Sequence, residues 1–144
     1  MAVRAVPEGY HTVTPYLIVP DVQGLIDFLK QVFDAELRSQ ATDAEGRIMH
    51  TEVKIGDSVV MMSESSEAFA PMPAMLHVYL EDVDAAYQRA LAAGATSLRE
   101  PTDEFYGDRS AGVQDDAGNQ WWIATHVEDV SEEEMQRRME AERG

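Results

Sequence analysis

A chain of 144 residues with 44% hydrophobic content can bury a substantial core and fits one compact domain, residues 1–144. Its 27 acidic against 11 basic residues give a net charge of −16, which repels phosphate backbones and anionic membrane surfaces, so neither nucleic acid nor membrane is an expected partner. The absence of cysteine excludes disulfides and thiolate chemistry, and the lack of a long apolar run, at the opening Met1-Ala-Val-Arg4 or elsewhere, makes a soluble cytoplasmic protein the expectation.

Thr12 to Val19 is rich in β-branched and aromatic residues and predicts a strand. Asp21 follows as a helix cap, and Val22, Leu25, Ile26, Leu29, Val32 and Phe33 recur at helical spacing, so one stripe of that helix packs on a sheet. Leu37 to Ala41, Arg47 to Ile55 and Ser58 to Ser63 predict three more strands, the last two joined by a tight turn at Gly56-Asp57. Within the second of these, His50 and Glu52 share a polar face, while Met49, Thr51, Val53 and Ile55 form the other, more apolar one.

Glu64 to Pro73 carries Ser65, Ser66, Pro71 and Pro73 and reads as a connection. Beyond it, Met75 to Leu80 predicts a strand, Asp82 a cap, and Val83, Ala86, Tyr87, Ala90 and Leu91 a helical stripe ending at Gly94. Strands near Ser97 to Arg99, Ser110 to Gln114 and Gln120 to His126 follow. Ser131-Glu-Glu-Glu134 is a capping box for a final helix over about residues 131–143, with Val130 and Met135 as its hydrophobic staple. Met135 and Met139 lie one turn apart there, which suits packing on the body or on a second subunit.

The order of elements repeats. Tyr16-Leu-Ile-Val-Pro-Asp21-Val22 aligns with His77-Val-Tyr-Leu-Glu-Asp82-Val83, an offset of 61 residues (82 − 21), and one added residue later brings Gly56-Asp57-Ser58-Val59-Val60 onto Gly118-Asn119-Gln120-Trp121-Trp122. Two β-α-β-β-β modules, about residues 10–64 and 74–126, are each too small to stand alone, and the expectation is a shared core with a cleft between them.

With its paired modules, its Asp-Val helix openings, Ala92-Ala93-Gly94-Ala95 ending the second helix and Asp115-Asp116-Ala117-Gly118-Asn119 as a turn, the chain resembles the vicinal oxygen chelate superfamily. That superfamily includes glyoxalase I, extradiol dioxygenases, and fosfomycin and bleomycin resistance proteins. Tyr106-Gly107-Asp108-Arg109 and Trp121-Trp122-Ile-Ala-Thr-His126 are similar to its PhnB-like branch. The resemblance implies an α+β fold in which two tandem βαβββ modules form a curved mixed sheet around a cleft, and it implies a homodimer. It also implies a divalent metal held by one side chain from the first and last strand of each module. Counting from the helix openings and from Gly118 puts those positions at Thr14, Met75, Trp122 and either Val60 or Met61. None is His, Asp or Glu, so no metal or other cofactor is expected.

If Thr14, Met75 and Trp122 face the cleft, alternation turns Tyr16, His77, Tyr79 and Ala124 the same way, giving an aromatic surface suited to a planar or apolar organic molecule. His77 serves there either as a ligand contact or as a hydrogen-bonded structural histidine. Tyr106 and Arg109 sit where a loop reaches over a cleft mouth; Arg109 could clamp an anionic group or pair locally with Asp108. Of the adjacent tryptophans, one must be core and Trp122 the ligand-facing one.

Two readings of function result. In the first, a metal-free protein binds a small organic molecule through Thr14, Tyr16, Met75, His77, Tyr79, Tyr106, Arg109 and Trp122. In the second, an enzyme of the lyase, isomerase or dioxygenase kind uses His50, Glu52 and His77 for proton transfer or as a noncanonical three-ligand divalent metal site. The carboxylate of Glu52 beside the imidazole of His50 would orient it for such transfer, although both residues could equally be the polar side of a strand.

Overall fold

The structure, a computed structural model, describes residues 3–143; Met1, Ala2 and Gly144, the ends of the expected 1–144 span, lie outside the described residues. The chain divides into two compact units, the first ending at Ala74 and the second beginning at Met75.

The first unit contains β1 (Tyr16–Val19), α1 (Val22–Phe33), β2 (Glu36–Thr42), β3 (Ile48–Ile55) and β4 (Ser58–Glu64), its sheet ordered β1-β4-β3-β2 with β1 parallel to β4 and the other pairs antiparallel. Asp21 caps α1 as expected, its carboxylate accepting from the Gly24 amide at 3.0 Å. Every residue of the predicted stripe is buried, with Phe28 added, and the helix packs on β3 and β4, where Val53, Val60 and Met62 are buried. Leu29 is wholly buried, so Leu29→Ala would cost about 2–5 kcal/mol. At its other end α1 stops on Asp34, which takes a left-handed turn.

β1 starts four residues later than the Thr12 to Val19 strand expected. Pro15 has no amide to donate, the ladder opens with the Met61 amide on the Pro15 carbonyl, and Thr14 instead donates to the His11 carbonyl at 3.4 Å. Thr14 therefore precedes the strand and is not one of its residues.

The second unit contains β5 (Met75–Tyr79), α2 (Val83–Ala92), β6 (Thr96–Asp103), β7 (Asp108–Gln114), β8 (Gln120–His126) and α3 (Glu132–Arg143), with the same sheet order, β5-β8-β7-β6. Asp82 caps α2 by accepting from Ala85 at 3.1 Å, and Val83, Ala86, Tyr87 and Ala90 are buried, with Leu91 half-buried. The Tyr87 hydroxyl shares a hydrogen bond with Ser97 at 2.7 Å. β6 runs longer than the Ser97 to Arg99 expected; Pro101 is tolerated because, among the described residues, β6 pairs only with β7 and so is an edge strand. The Asp115 turn is tied by its own carboxylate, which accepts from the amides of Ala117 and Asn119 and from Trp121 Nε1.

At α3 half of the capping box forms: the Glu134 amide donates to Ser131 Oγ at 3.1 Å. The reciprocal half does not, because Glu134 turns its carboxylate to Arg137 and Arg138. Val130 lies beside Gly107. Arg138 fastens the helix to the rest of its unit, donating to the Phe105 carbonyl at 3.0 Å and to Glu128 at 2.7 Å.

Candidate functional site

Across the first sheet the register places Tyr16, Met61 and Glu52 in one row, with His50 diagonally beyond, all on the face opposite α1. The Glu52 carboxylate is buried, and each of its oxygens has a partner: the Tyr10 hydroxyl donates to one, and His50 Nε2 meets the other at 2.7 Å. An ionised carboxylate only accepts, so Nε2 donates to it, and the other ring nitrogen, Nδ1, faces the Tyr16 hydroxyl 3.3 Å away. The Tyr16 and His50 rings are tilted at 44° with centroids 5.7 Å apart. Burial pushes the Glu52 carboxyl up, but the hydrogen bonds from Tyr10 and His50, together with nearby Arg38, outweigh it and hold the group below its usual carboxylate value. The same bond to Glu52 raises the Tyr10 phenol.

Tyr16 continues into a pocket of about 560 Å³, lined on its apolar side by Tyr16, Ile18, Met49 and Phe69, with Asp43, Arg47, Ser63, Glu64 and Ser66 supplying polar atoms. Met49 was expected on the opposite face with Thr51, Val53 and Ile55. It stands out at 57% exposure because a β-bulge falls where Ala41 pairs with His50 but Thr42 pairs with Ile48, which breaks strict alternation at Met49. Phe69 comes from the connection after β4, whose backbone is held by Ser66, the Phe69 amide donating to Ser66 Oγ at 3.1 Å. Arg47 braces the same wall, donating to the Ser65 carbonyl at 2.7 Å with its Nε 3.5 Å from Glu64.

On the second sheet, Met75, His77 and Tyr79 of β5 are exposed and Trp122 of β8 is half-buried, whereas Trp121 and Ala124 are wholly buried. His77 pairs with Trp122 as Tyr16 pairs with Met61, so Met61 is the repeat equivalent of Trp122; Val60 lies under α1. Gly112 stands opposite Trp122, as Glu52 stands opposite Met61. The indole lies against Gly112, where any methyl would meet its ring carbons at 2.6–2.8 Å. The rings of His77 and Tyr79 are 4.8 Å apart.

At the end of this face Asp108 is almost fully buried, accepting from the Tyr79 hydroxyl at 2.7 Å and from His126 Nδ1 at 2.8 Å, while His126 Nε2 faces Asp129 at 2.8 Å. The hydrogen bonds to Asp108 and then Asp129 raise the His126 pKa, and the bond to Asp108 raises the Tyr79 phenol. Asp108 thus serves this network. Arg109 turns instead to Asp84, which takes both Nε and Nη2 at 2.8 and 3.0 Å, and to Asp103 at 3.1 Å. These bonds raise its pKa further, and the fork is already filled by protein carboxylates. Tyr106 packs edge-on to Phe105 in the turn before β7.

The residues at the superfamily's metal positions do not fit a divalent ion. Thr14, Met61, Met75 and Trp122 offer a hydroxyl, two thioethers and an indole, where imidazole and carboxylate oxygens are required. Among the described residues no three His, Cys, Asp or Glu side chains form a group able to hold a metal ion. Sequence reasoning missed Tyr10, Met49, Phe69 and Asp129. Only Phe69, an aromatic amid Ser and Pro, carried a signal in its surroundings.

A fold of two βαβββ units with this face chemistry defines a class, and comparison with known proteins names it. The model of the glyoxalase/bleomycin resistance protein/dioxygenase superfamily matches residues 10–123, and the chain belongs to that superfamily. It is 30% identical to an uncharacterised protein of Mycobacterium bovis over 99% of this chain and 98% of the other. An uncharacterised Mycobacterium tuberculosis protein is likewise 30% identical over 99% of this chain and 88% of its own length. Among solved structures, TioX from Micromonospora sp. ML1 is similar with a TM-score of 0.70 and 26% identity, covering 81% of this chain and 99% of TioX. A PhnB protein from Bacillus cereus shares the fold, with a TM-score of 0.65 at 19% identity over 80% of this chain and 99% of its own. Among the described residues no helix is long and apolar enough to cross a membrane.

Proposed function

We propose that this chain binds a small apolar organic molecule, planar or aromatic, without the metal usual in its superfamily, and does so as a cytoplasmic homodimer. The pocket beside Tyr16 is the observation that carries this reading: Tyr16, Ile18, Met49 and Phe69 offer an apolar contact surface, and a cavity of about 560 Å³ is of ordinary size for a small-molecule site. The exposed Met75, His77, Tyr79 and half-buried Trp122 on the second sheet are further surface for stacking. The chemistry at the four metal positions supports the metal-free part, and superfamily membership supports the dimer.

The test is titration with the neutral dye N-phenyl-1-naphthylamine. Its emission should rise on binding, and Phe69→Ala should weaken the affinity roughly tenfold, the loss of one stacked ring. No binding, or equal binding by Phe69→Ala, would remove the pocket from consideration. A stoichiometric divalent ion in protein purified without chelator would overturn the metal-free part, and a monomer in light scattering at micromolar concentration would overturn the dimer.

A further inference from the structure

We propose that Tyr16, His50 and Glu52 form a proton-transfer site, and that its substrate is an uncharged, enolisable aromatic or alicyclic ketone held in the pocket beside Tyr16. The proposal rests on the pocket being a ligand site. Three features of geometry support it. Glu52 is buried with both oxygens occupied, so it is a fixed and ionised orienter. With Nε2 bonded to Glu52, the His50 nitrogen that faces the Tyr16 hydroxyl is Nδ1, the atom that serves as the base when the ring is neutral. Of the three residues Tyr16 alone lines the pocket, so the hydrogen-bonded chain ends at the pocket wall.

A buried carboxylate that orients an imidazole towards a hydroxyl is the arrangement by which a weak oxygen acid is made to exchange its proton. In the transfer, the proton on the carbon next to the ketone moves to Tyr16 Oη while the phenolic proton moves to His50 Nδ1. This leaves an enolate in the pocket and an imidazolium facing Glu52. Return of a proton to the same carbon regenerates the ketone, and return to the oxygen gives the enol; nothing is oxidised or reduced. The apolar lining selects an uncharged substrate, and Ser63 and Arg47 on the same lining are hydrogen-bond donors for the developing enolate oxygen. The network of the second unit is less suited, since both nitrogens of His126 face carboxylates and none is left basic.

The experiment uses 2-tetralone in deuterated buffer, following loss of its C1 proton signal by NMR and, in the same samples, the methyl shift of Met49 as a report of occupancy. The wild-type chain should exchange the proton faster than buffer. Tyr16→Phe, which keeps the ring, should keep the Met49 shift yet slow protein-dependent exchange roughly 100-fold, and Glu52→Gln should slow it as well. The ring ¹⁵N shifts of His50 should show the Nε2–H tautomer at neutral pH. A shifted Met49 methyl with exchange at the buffer rate, or with Tyr16→Phe as fast as wild type, would overturn the relay while leaving the binding site standing. The Nδ1–H tautomer would overturn it too. An unmoved Met49 methyl would sink the pocket as a site for such ketones, and the relay with it.

Discussion

Gly107 offers the sharpest test of the geometry around the second network. It has φ +100°, in the left-handed region, and a methyl added there would stand 2.3 Å from the Glu128 carbonyl oxygen and 3.1 Å from Val130 Cγ2. The backbone it would strike cannot easily give way, because the amides of Val127 and Glu128 both donate to the Gly107 carbonyl, at 2.9 and 3.1 Å. The left-handed conformation costs a side chain about 1–2 kcal/mol. Forcing the carbonyl aside adds an overpacking cost of about 1–3 kcal/mol. Gly107→Ala should therefore destabilise by about 2–5 kcal/mol, or roughly 7–17 °C in melting temperature for a chain of 144 residues. Gly46→Ala is the control: Gly46 has φ +85° but open space around it, so only the conformational part applies. Thermal unfolding followed by circular dichroism reads both. Equal melting temperatures for the two variants would refute the close approach of Gly107 to Glu128.

The His126 imidazole has a raised pKa, so its contribution to stability is complete below the ordinary histidine value and drains away as pH rises through the raised one. Wild type should lose melting temperature over that window relative to His126→Gln, and parallel curves would argue against the bonds to Asp108 and Asp129. The opposite sign holds for Glu52: its depressed pKa gives stability that is present above the ordinary carboxylate value and lost as pH falls through the lowered one. Glu52→Gln should flatten that acid limb in the same melting series. Because the Arg109 fork is filled by Asp84 and Asp103, Arg109→Ala should leave affinity for N-phenyl-1-naphthylamine within about twofold, and a larger loss would mean the guanidinium leaves its partners to meet ligand. Gly112→Ala should push the Trp122 indole outward, read as a red shift in its emission; an unchanged spectrum would contradict their contact.

Periodicity made the helices legible. The α1 stripe survives into the fold residue for residue, because a helix that buries one face must write that face every three or four positions. Alternation told Trp121 from Trp122 for a similar reason, one wholly buried and one half-open. It failed at Met49, where one extra residue in the ladder resets the count. The repeat narrowed the partner of Trp122 to Val60 or Met61 and could go no further, since the added residue between the copies blurs the alignment by one; only pairing across strands chooses Met61. The Tyr10 contact spans 42 positions in sequence, and no local pattern of residue types announces which phenol will meet a buried carboxylate. The residue type of Arg109 fits both a clamp for an anionic group and a local pair with Asp108, and neither forms, because what occupies a guanidinium depends on which acids the fold brings near, here Asp84 and Asp103.

Glu52 and Gly112 stand at the same point of two copies of one module, each opposite the residue that the next strand presents. One copy has a carboxylate there, bonded to Tyr10 and His50. The other has no side chain there and leaves room for an indole. A gene duplicated within itself can let its halves diverge in trade while both keep the same scaffold, so selection on one sheet need not disturb the other. The scaffold thereby becomes a place where two chemistries can be tried at once.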